Sequence, residues 1–127
     1  MTKIMVIDED PDVILVLERI LKKFGCEVVG LTDSRNCLSR VKEEMPDLIF
    51  LDVMMPDKDG WEVCREIKDN PSTSSIPISM LTVMKDEEHI KKSFNAGADQ
   101  HLGKPINFKD IYTSIENLLG TGKPTTG

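Results

Sequence analysis

Three acids in a row, Asp8-Glu9-Asp10, follow directly on the apolar run 4–7, and a fourth, Asp52, ends the run 48–51. Thr82 holds the same place after the run 76–81, and Lys104-Pro105 follows the weaker run 98–102. If these runs are strands pointing the same way, several carboxylates, one hydroxyl and one ammonium meet on a single rim. Crowded carboxylates repel and hold on to protons unless a cation sits among them. Oxygen donors without imidazole or thiolate suit Mg²⁺, which keeps several waters and an open face. An ionised Asp beside such an ion can attack a phosphoryl group and form an acyl phosphate. Lys104 then supplies a point charge, and Thr82 a hydrogen bond, to the phosphoryl oxygens. Taken alone, Asp8-Glu9-Asp10 reads equally well as a solvated loop and helix cap. Asp52 does not, because a carboxylate closing a buried-looking strand is unfavourable unless paired.

The elements that must position these groups are legible as alternating patterns. The runs 4–7, 48–51 and 76–81 are nearly continuous in hydrophobicity, as strands covered on both faces are. Val28, Val29 and Leu31 mark a further strand. Ile14, Leu17, Ile20, Leu21 and Phe24 recur at helical spacing, with Gly25 as a stop. Leu38, Val41 and Met45 predict a second helix, capped by Asp33 or Ser34 and ended by Pro46. Trp61, Val63, Cys64 and Ile67 make a third, closed by Asn70-Pro71, with Trp61 as a helix-face anchor. The fourth, over 86–95, rests on Ile90 and Phe94 alone, and its His89 reads as solvated. Phe108, Ile111, Ile115, Leu118 and Leu119 make the fifth, behind an Asn107 cap.

Five strand–helix units with short connections predict an α/β fold: one doubly wound domain, a parallel five-stranded sheet with helices on both faces. In such sheets ligands gather beyond the carboxyl ends of the strands. The domain is expected over 1–120, with 121–127 a tail or the start of a linker.

Composition narrows the function. A chain of 127 residues buries a core without disulfides or a structural metal. No run approaches the roughly 18 apolar residues of a membrane span, and no signal peptide is evident. A net charge of −6 argues against nucleic acid as the ligand of this domain. Cys26, Cys37 and Cys64 are odd in number and widely spaced, so they read as small buried hydrophobes in a reducing, cytoplasmic setting.

Four stretches then carry a resemblance: I-D-E-D-P at 7–11, L-D-V-M-M-P-D-K-D-G at 51–60, M-L-T at 80–82 and A-G-A-D-Q-H-L-G-K-P at 96–105. Over residues 3–119 the chain resembles the receiver domain of two-component response regulators, and is chemotaxis Y-protein-like. The resemblance implies a flavodoxin-like sheet of order 2-1-3-4-5 and a cis Lys104-Pro105 bond. It makes Asp52 the phosphoacceptor, modified to 4-aspartylphosphate. Mg²⁺, with Mn²⁺ as the alternative, falls to Asp8, Glu9, Asp52 and the Met54 carbonyl. Thr82 and Lys104 contact the phosphoryl group, and Thr82 with His101 forms the switch.

Three departures from the family pattern fall on four positions. The second acid is Glu9 where an aspartate is usual, and its extra methylene strains an octahedron with metal–oxygen distances of about 2.0–2.1 Å. Glu9 therefore bends back, binds through water, or yields to Asp10. His101 stands where Tyr or Phe is frequent, so either it makes the switch sensitive to pH or it only fills space at an edge strand. Met54 and Met84 stand two residues beyond the nucleophile and the hydroxyl. Thioethers cannot position a hydrolytic water, so these side chains are expected to shield the acyl phosphate and prolong its life.

The reading is a phosphorylation switch, not a conventional enzyme. A sensor histidine kinase or phosphotransfer protein donates the phosphoryl group. The change passes to the fourth helix, fifth strand and fifth helix, facing a downstream effector protein or domain, or a second copy in a homodimer. The few apolar anchors of the fourth helix suit an element shared between two states. A haloacid-dehalogenase-type phosphatase is the enzymatic rival, but it requires a general acid where Met54 stands. A receiver that is never phosphorylated is the binding-module rival, and the intact Asp52, Thr82 and Lys104 argue against it.

Overall fold

The computed structural model describes residues 1–120. Strands and helices alternate as β1 (Lys3–Ile7), α1 (Pro11–Lys23), β2 (Glu27–Leu31), α2 (Cys37–Glu44), β3 (Leu48–Asp52), α3 (Gly60–Asp69), β4 (Ile78–Thr82), α4 (Glu87–Asn95), β5 (Gln100–Gly103) and α5 (Phe108–Leu119). All pairings are parallel, in the order β2-β1-β3-β4-β5. Strand order reverses at β1, so the crevice beyond the ends of β1 and β3 is the topological switch point. The expected tail, 121–127, lies outside the described residues.

Two apolar layers hold the sheet. Leu17 and Leu21 of α1 and Ile111 and Ile115 of α5 pack with Ile4, Val6, Leu48 and Phe50 on one face. Val41 of α2 and Val63, Cys64 and Ile67 of α3 pack with Met5, Ile49, Leu51 and Met80 on the other. Every residue of β3 and β4 is buried, because helices cover both faces. Each such Leu, Ile or Met contributes roughly 2 kcal/mol of apolar burial. At the edges β5 is half-buried, and β2 is half-buried with Glu27 and Gly30 exposed.

Local signals place the helix ends. Asp10 caps α1 by accepting the Asp12 N–H, Pro11 stands in the first turn, and Gly25 takes the left-handed φ of 76° after the helix. Asn107 caps α5 as expected, accepting the Asp110 N–H at 2.8 Å.

The structure corrects five expectations. α2 begins at Cys37 behind Asn36, not behind Asp33 or Ser34. Asp33 is taken by the Arg35 guanidinium and backbone N–H, and Ser34 accepts the Lys58 N–H. Met45 is no apolar anchor of that helix: it is the half-exposed left-handed cap, φ 43°, before Pro46. The run 76–81 reaches the sheet only from Ile78, since the Pro77 carbonyl pairs with Ile49 N–H while proline has no N–H of its own to give. On α4 the buried residue is Ser93, whereas Phe94 is 46% exposed. His89 also departs from the expected solvation, stacking on Trp61 at 5.8 Å between ring centroids.

The three thiols are buried and unpaired, as expected. Burial raises Cys26 and pushes Cys37 up to about 12 and Cys64 up to about 11, so none is an available nucleophile.

Candidate functional site

Sheet register gathers the rim. Ile7 pairs with Leu51, Asp52 with Leu81, and Thr82 with Gly103. Asp8, Asp52, Thr82 and Lys104 therefore end adjacent strands at nearly one level. Asp8, Asp52 and Thr82 are all buried. The Lys104 ammonium donates to Asp8 Oδ2 at 2.8 Å and to Asp52 Oδ1 at 3.3 Å, bridging the two carboxylates. The Lys104-Pro105 bond is cis.

One ammonium for two buried carboxylates leaves a surplus negative charge. Burial first, and then the Asp8 charge, push the Asp52 carboxyl up to about 6, against the opposing pull of Lys104 and the Met54 N–H. Burial works against the Lys104 ammonium, but its Asp8 hydrogen bond and the Asp52 charge outweigh this and raise it above its ordinary value.

The first acidic triplet divides into three roles. Asp8 points inward, and its Oδ1 accepts the Asp10 N–H at 2.9 Å. Asp10 is spent as the α1 cap. Glu9 is exposed on the rim. Together with Met54 and Val83 these acids, Asp52 and Lys104 line a cleft of about 180 Å³. Behind it α3 approaches so closely that a Cβ on Gly60 would stand 2.2 Å from the Asp52 carbonyl oxygen. Only glycine fits there, its N–H donating to the Val53 carbonyl at 2.8 Å. Asp59 caps α3 through the Glu62 N–H.

Thr82 Oγ1 accepts the Met84 N–H at 3.1 Å and is hydrogen-bonded to neither carboxylate. His101 is half-buried with Nδ1 3.0 Å from Ser93 Oγ and Nε2 3.1 Å from the Met84 carbonyl oxygen. Both ring nitrogens therefore have polar partners.

A cation fits this rim on donor chemistry. Among the described residues no three His, Cys, Asp or Glu side chains form a complete cage. Two carboxylates with surplus charge, free of imidazole and thiolate, suit a hard divalent ion that keeps its waters. Volume alone would mislead: a larger cleft of about 570 Å³ lies between α2 and α3, lined by Arg35, Lys58 and Glu66 among others. It gathers no comparable buried charge.

Sequence reasoning missed two features. Val13, Val16, Pro105 and Ile106 form an apolar groove of about 330 Å³ beside Lys104. Its signal was the second apolar stripe on α1, with Leu15 and Val16 about half-exposed. Ser93 was missed because a lone serine between Ile90 and Phe94 carries no pattern.

The family model for the response regulator receiver domain matches residues 4–116. This chain belongs to that family. It is 34% identical over 114 residues to protein PilG of Pseudomonas aeruginosa, covering 90% of this chain and 84% of PilG. A putative response regulator from Chloroflexus aurantiacus superposes with a TM-score of 0.88 at 30% identity, covering 93% of this chain and 97% of the other. The receiver domain of a sensor histidine kinase from Pseudomonas aeruginosa superposes at 0.86 and 22% identity, covering 94% and 98%. That neighbour carries a magnesium ion in its active site cleft. Other curated relatives, transcriptional regulators among them, are longer, and this chain spans about half their length. No helix among the described residues is long and apolar enough to cross a membrane.

Proposed function

We propose that this receiver domain is a phosphorylation switch whose acceptor is Asp52. The observation that carries the reading is the Lys104 ammonium bridging the buried Asp8 and Asp52 carboxylates. The Lys68–Asp99 pair is matched one to one, whereas this cluster is short of a cation. The Lys104 and Met54 contacts both fall on Asp52 Oδ1, which leaves Oδ2 as the attacking oxygen. Oδ2 forms the new bond to phosphorus as the phosphorus–nitrogen bond of a phosphohistidine breaks, and the donor imidazole leaves. Lys104 turns part of its charge to the incoming oxygens, and Thr82 donates its hydroxyl proton to one of them.

Mg²⁺, when bound, would supply positive charge to offset that of the carboxylates and of the phosphoryl oxygens. Asp8, Asp52 and the Met54 carbonyl would hold it, with exposed Glu9 acting through water. Mn²⁺ is the alternative ion. The donor is a sensor histidine kinase or phosphotransfer protein of the cytoplasm, and the apolar groove beside Lys104 suits a docking helix. Thr82 and His101 pass the change to α4, β5 and α5, which face an effector or a second copy. The chain catalyses only its own phosphorylation and dephosphorylation.

Incubation with Mg²⁺ and acetyl phosphate, followed by intact mass, tests the reading. Wild type is expected to gain one phosphoryl group and Asp52→Asn none. Equal gain in both would refute Asp52 as acceptor, and repetition in Mn²⁺ reports how Glu9 affects ion choice.

A further inference from the structure

Thr82 is the first member of a longer chain of hydrogen bonds. Its Oγ1 accepts the Met84 N–H, and the Met84 carbonyl oxygen lies 3.1 Å from His101 Nε2. His101 Nδ1 lies 3.0 Å from Ser93 Oγ, which accepts the Trp61 Nε1–H at 3.1 Å. The chain thus runs from the end of β4 through the following loop to β5, α4 and α3.

Donor chemistry fixes its polarity. A carbonyl oxygen only accepts, so His101 Nε2 carries a proton. An indole N–H only donates, so Ser93 Oγ accepts from Trp61 and its own proton is free for Nδ1. The neutral Nε2–H tautomer satisfies every atom. Ser93 is fully buried, where a hydroxyl left without partners is unfavourable.

The geometry also couples the chain to Thr82. Met84 is held at both ends, its N–H by Thr82 and its carbonyl by His101. A Thr82 hydroxyl drawn toward Asp52 therefore displaces the residue that His101 grips. At the far end Trp61 is covered by α4, with the His89 ring stacked on it and the Lys92 ammonium 4.4 Å from its ring centroid.

We propose that Ser93 and Trp61 are positioning residues. They hold His101 as its Nε2–H tautomer against the Met84 carbonyl, and the chain carries the state of Thr82 to the α3–α4 seam at Trp61. The first statement concerns the unmodified protein, and the second rests on phosphorylation of Asp52.

The sequence contains one tryptophan, so a single indole resonance reports the far end. Long-range proton–nitrogen spectra of the unmodified chain are expected to show His101 protonated at Nε2 and bare at Nδ1. Ser93→Ala, which leaves the Met84 carbonyl alone to hold the tautomer, is expected to weaken that preference and to move the Trp61 indole signal, while Ser93→Thr, which keeps the hydroxyl, preserves both. With Mg²⁺ and acetyl phosphate, the wild-type indole signal is expected to shift in step with the gain in mass. Ser93→Ala is expected to gain the same mass with that shift lost. A wild-type His101 that carries a proton on Nδ1, or a Ser93→Ala indole response equal to wild type, overturns the proposal. Absence of any mass gain instead overturns the phosphoacceptor reading, and the tautomer result still decides the role of Ser93.

Discussion

Aspartates meet a lysine at both ends of the sheet, with opposite consequences. At the amino end, Asp99 Oδ2 accepts the Lys68 ammonium at 2.9 Å and the Ile78 N–H at 2.9 Å, and Lys68 also donates to the Ile76 carbonyl. One charge meets one charge, each partner keeps some solvent, and the contact clamps β4 to β5 and α3. At the carboxyl end, Lys104 faces two carboxylates and both are buried. A matched pair holds a fold together. A mismatched one stores electrostatic strain that a bound cation relieves.

Removing each lysine sharpens this contrast most. Lys104→Met leaves two buried carboxylates unpaired and is expected to cost about 3–5 kcal/mol in the presence of chelator. Lys68→Met is expected to cost about 1 kcal/mol, because its carboxylate remains partly solvated and keeps a backbone donor. Urea denaturation of both variants measures the difference, and equal losses would erase the distinction between the two ends.

Cation binding comes next. Mg²⁺ at about 100-fold over its dissociation constant is expected to stabilise the folded chain by about 2.7 kcal/mol. Asp8→Asn is expected to abolish most of that gain and Asp99→Asn none of it, as read from thermal melts with and without the ion.

Asp52→Asn is expected to stabilise the metal-free protein by roughly 1–2 kcal/mol at pH 7, since it deletes a strained charge. Asp99→Asn is expected to destabilise it, because Lys68 and Ile78 N–H lose a charged acceptor. The pH dependence follows from the Asp52 carboxyl, pushed up to about 6 in the fold against about 3.9 in the unfolded chain. Between those values the folded state binds more protons than the unfolded one. Stability therefore falls as pH rises through that window, and Asp52→Asn flattens the slope. A slope unchanged in Asp52→Asn would place the titration elsewhere.

The smallest effect on stability is expected at Met54, 48% exposed beside the cleft, and at Met84. Replacement by Asn or Glu leaves unfolding nearly unchanged but speeds loss of the phosphoryl group, because a polar side chain can hold the hydrolytic water. Dephosphorylation followed by mass decides this, and no acceleration in either variant removes the shielding role.

The parts of the molecule that repeat were legible in the sequence. Continuous apolar runs announced β1, β3 and β4, and the rim followed from asking what came directly after each. Competition at short range was not legible. Asp33 is a good cap by type, but Arg35 two residues on claims it, so α2 starts later behind Asn36. Glu9 and Asp8 look alike in sequence, yet the alternation of side chains past the end of β1 sends one outward and the other into the sheet. His89, Trp61 and Ser93 lie on two helices, and their meeting is a product of packing that no local pattern encodes.

The turn after β1 has one more consequence. Asp10 uses its side chain to close the first turn of α1, and its backbone N–H to steer the Asp8 carboxylate. Whatever tightens or frays that turn from outside thus gains a lever, two hydrogen bonds long, on the innermost acid without ever entering the cleft.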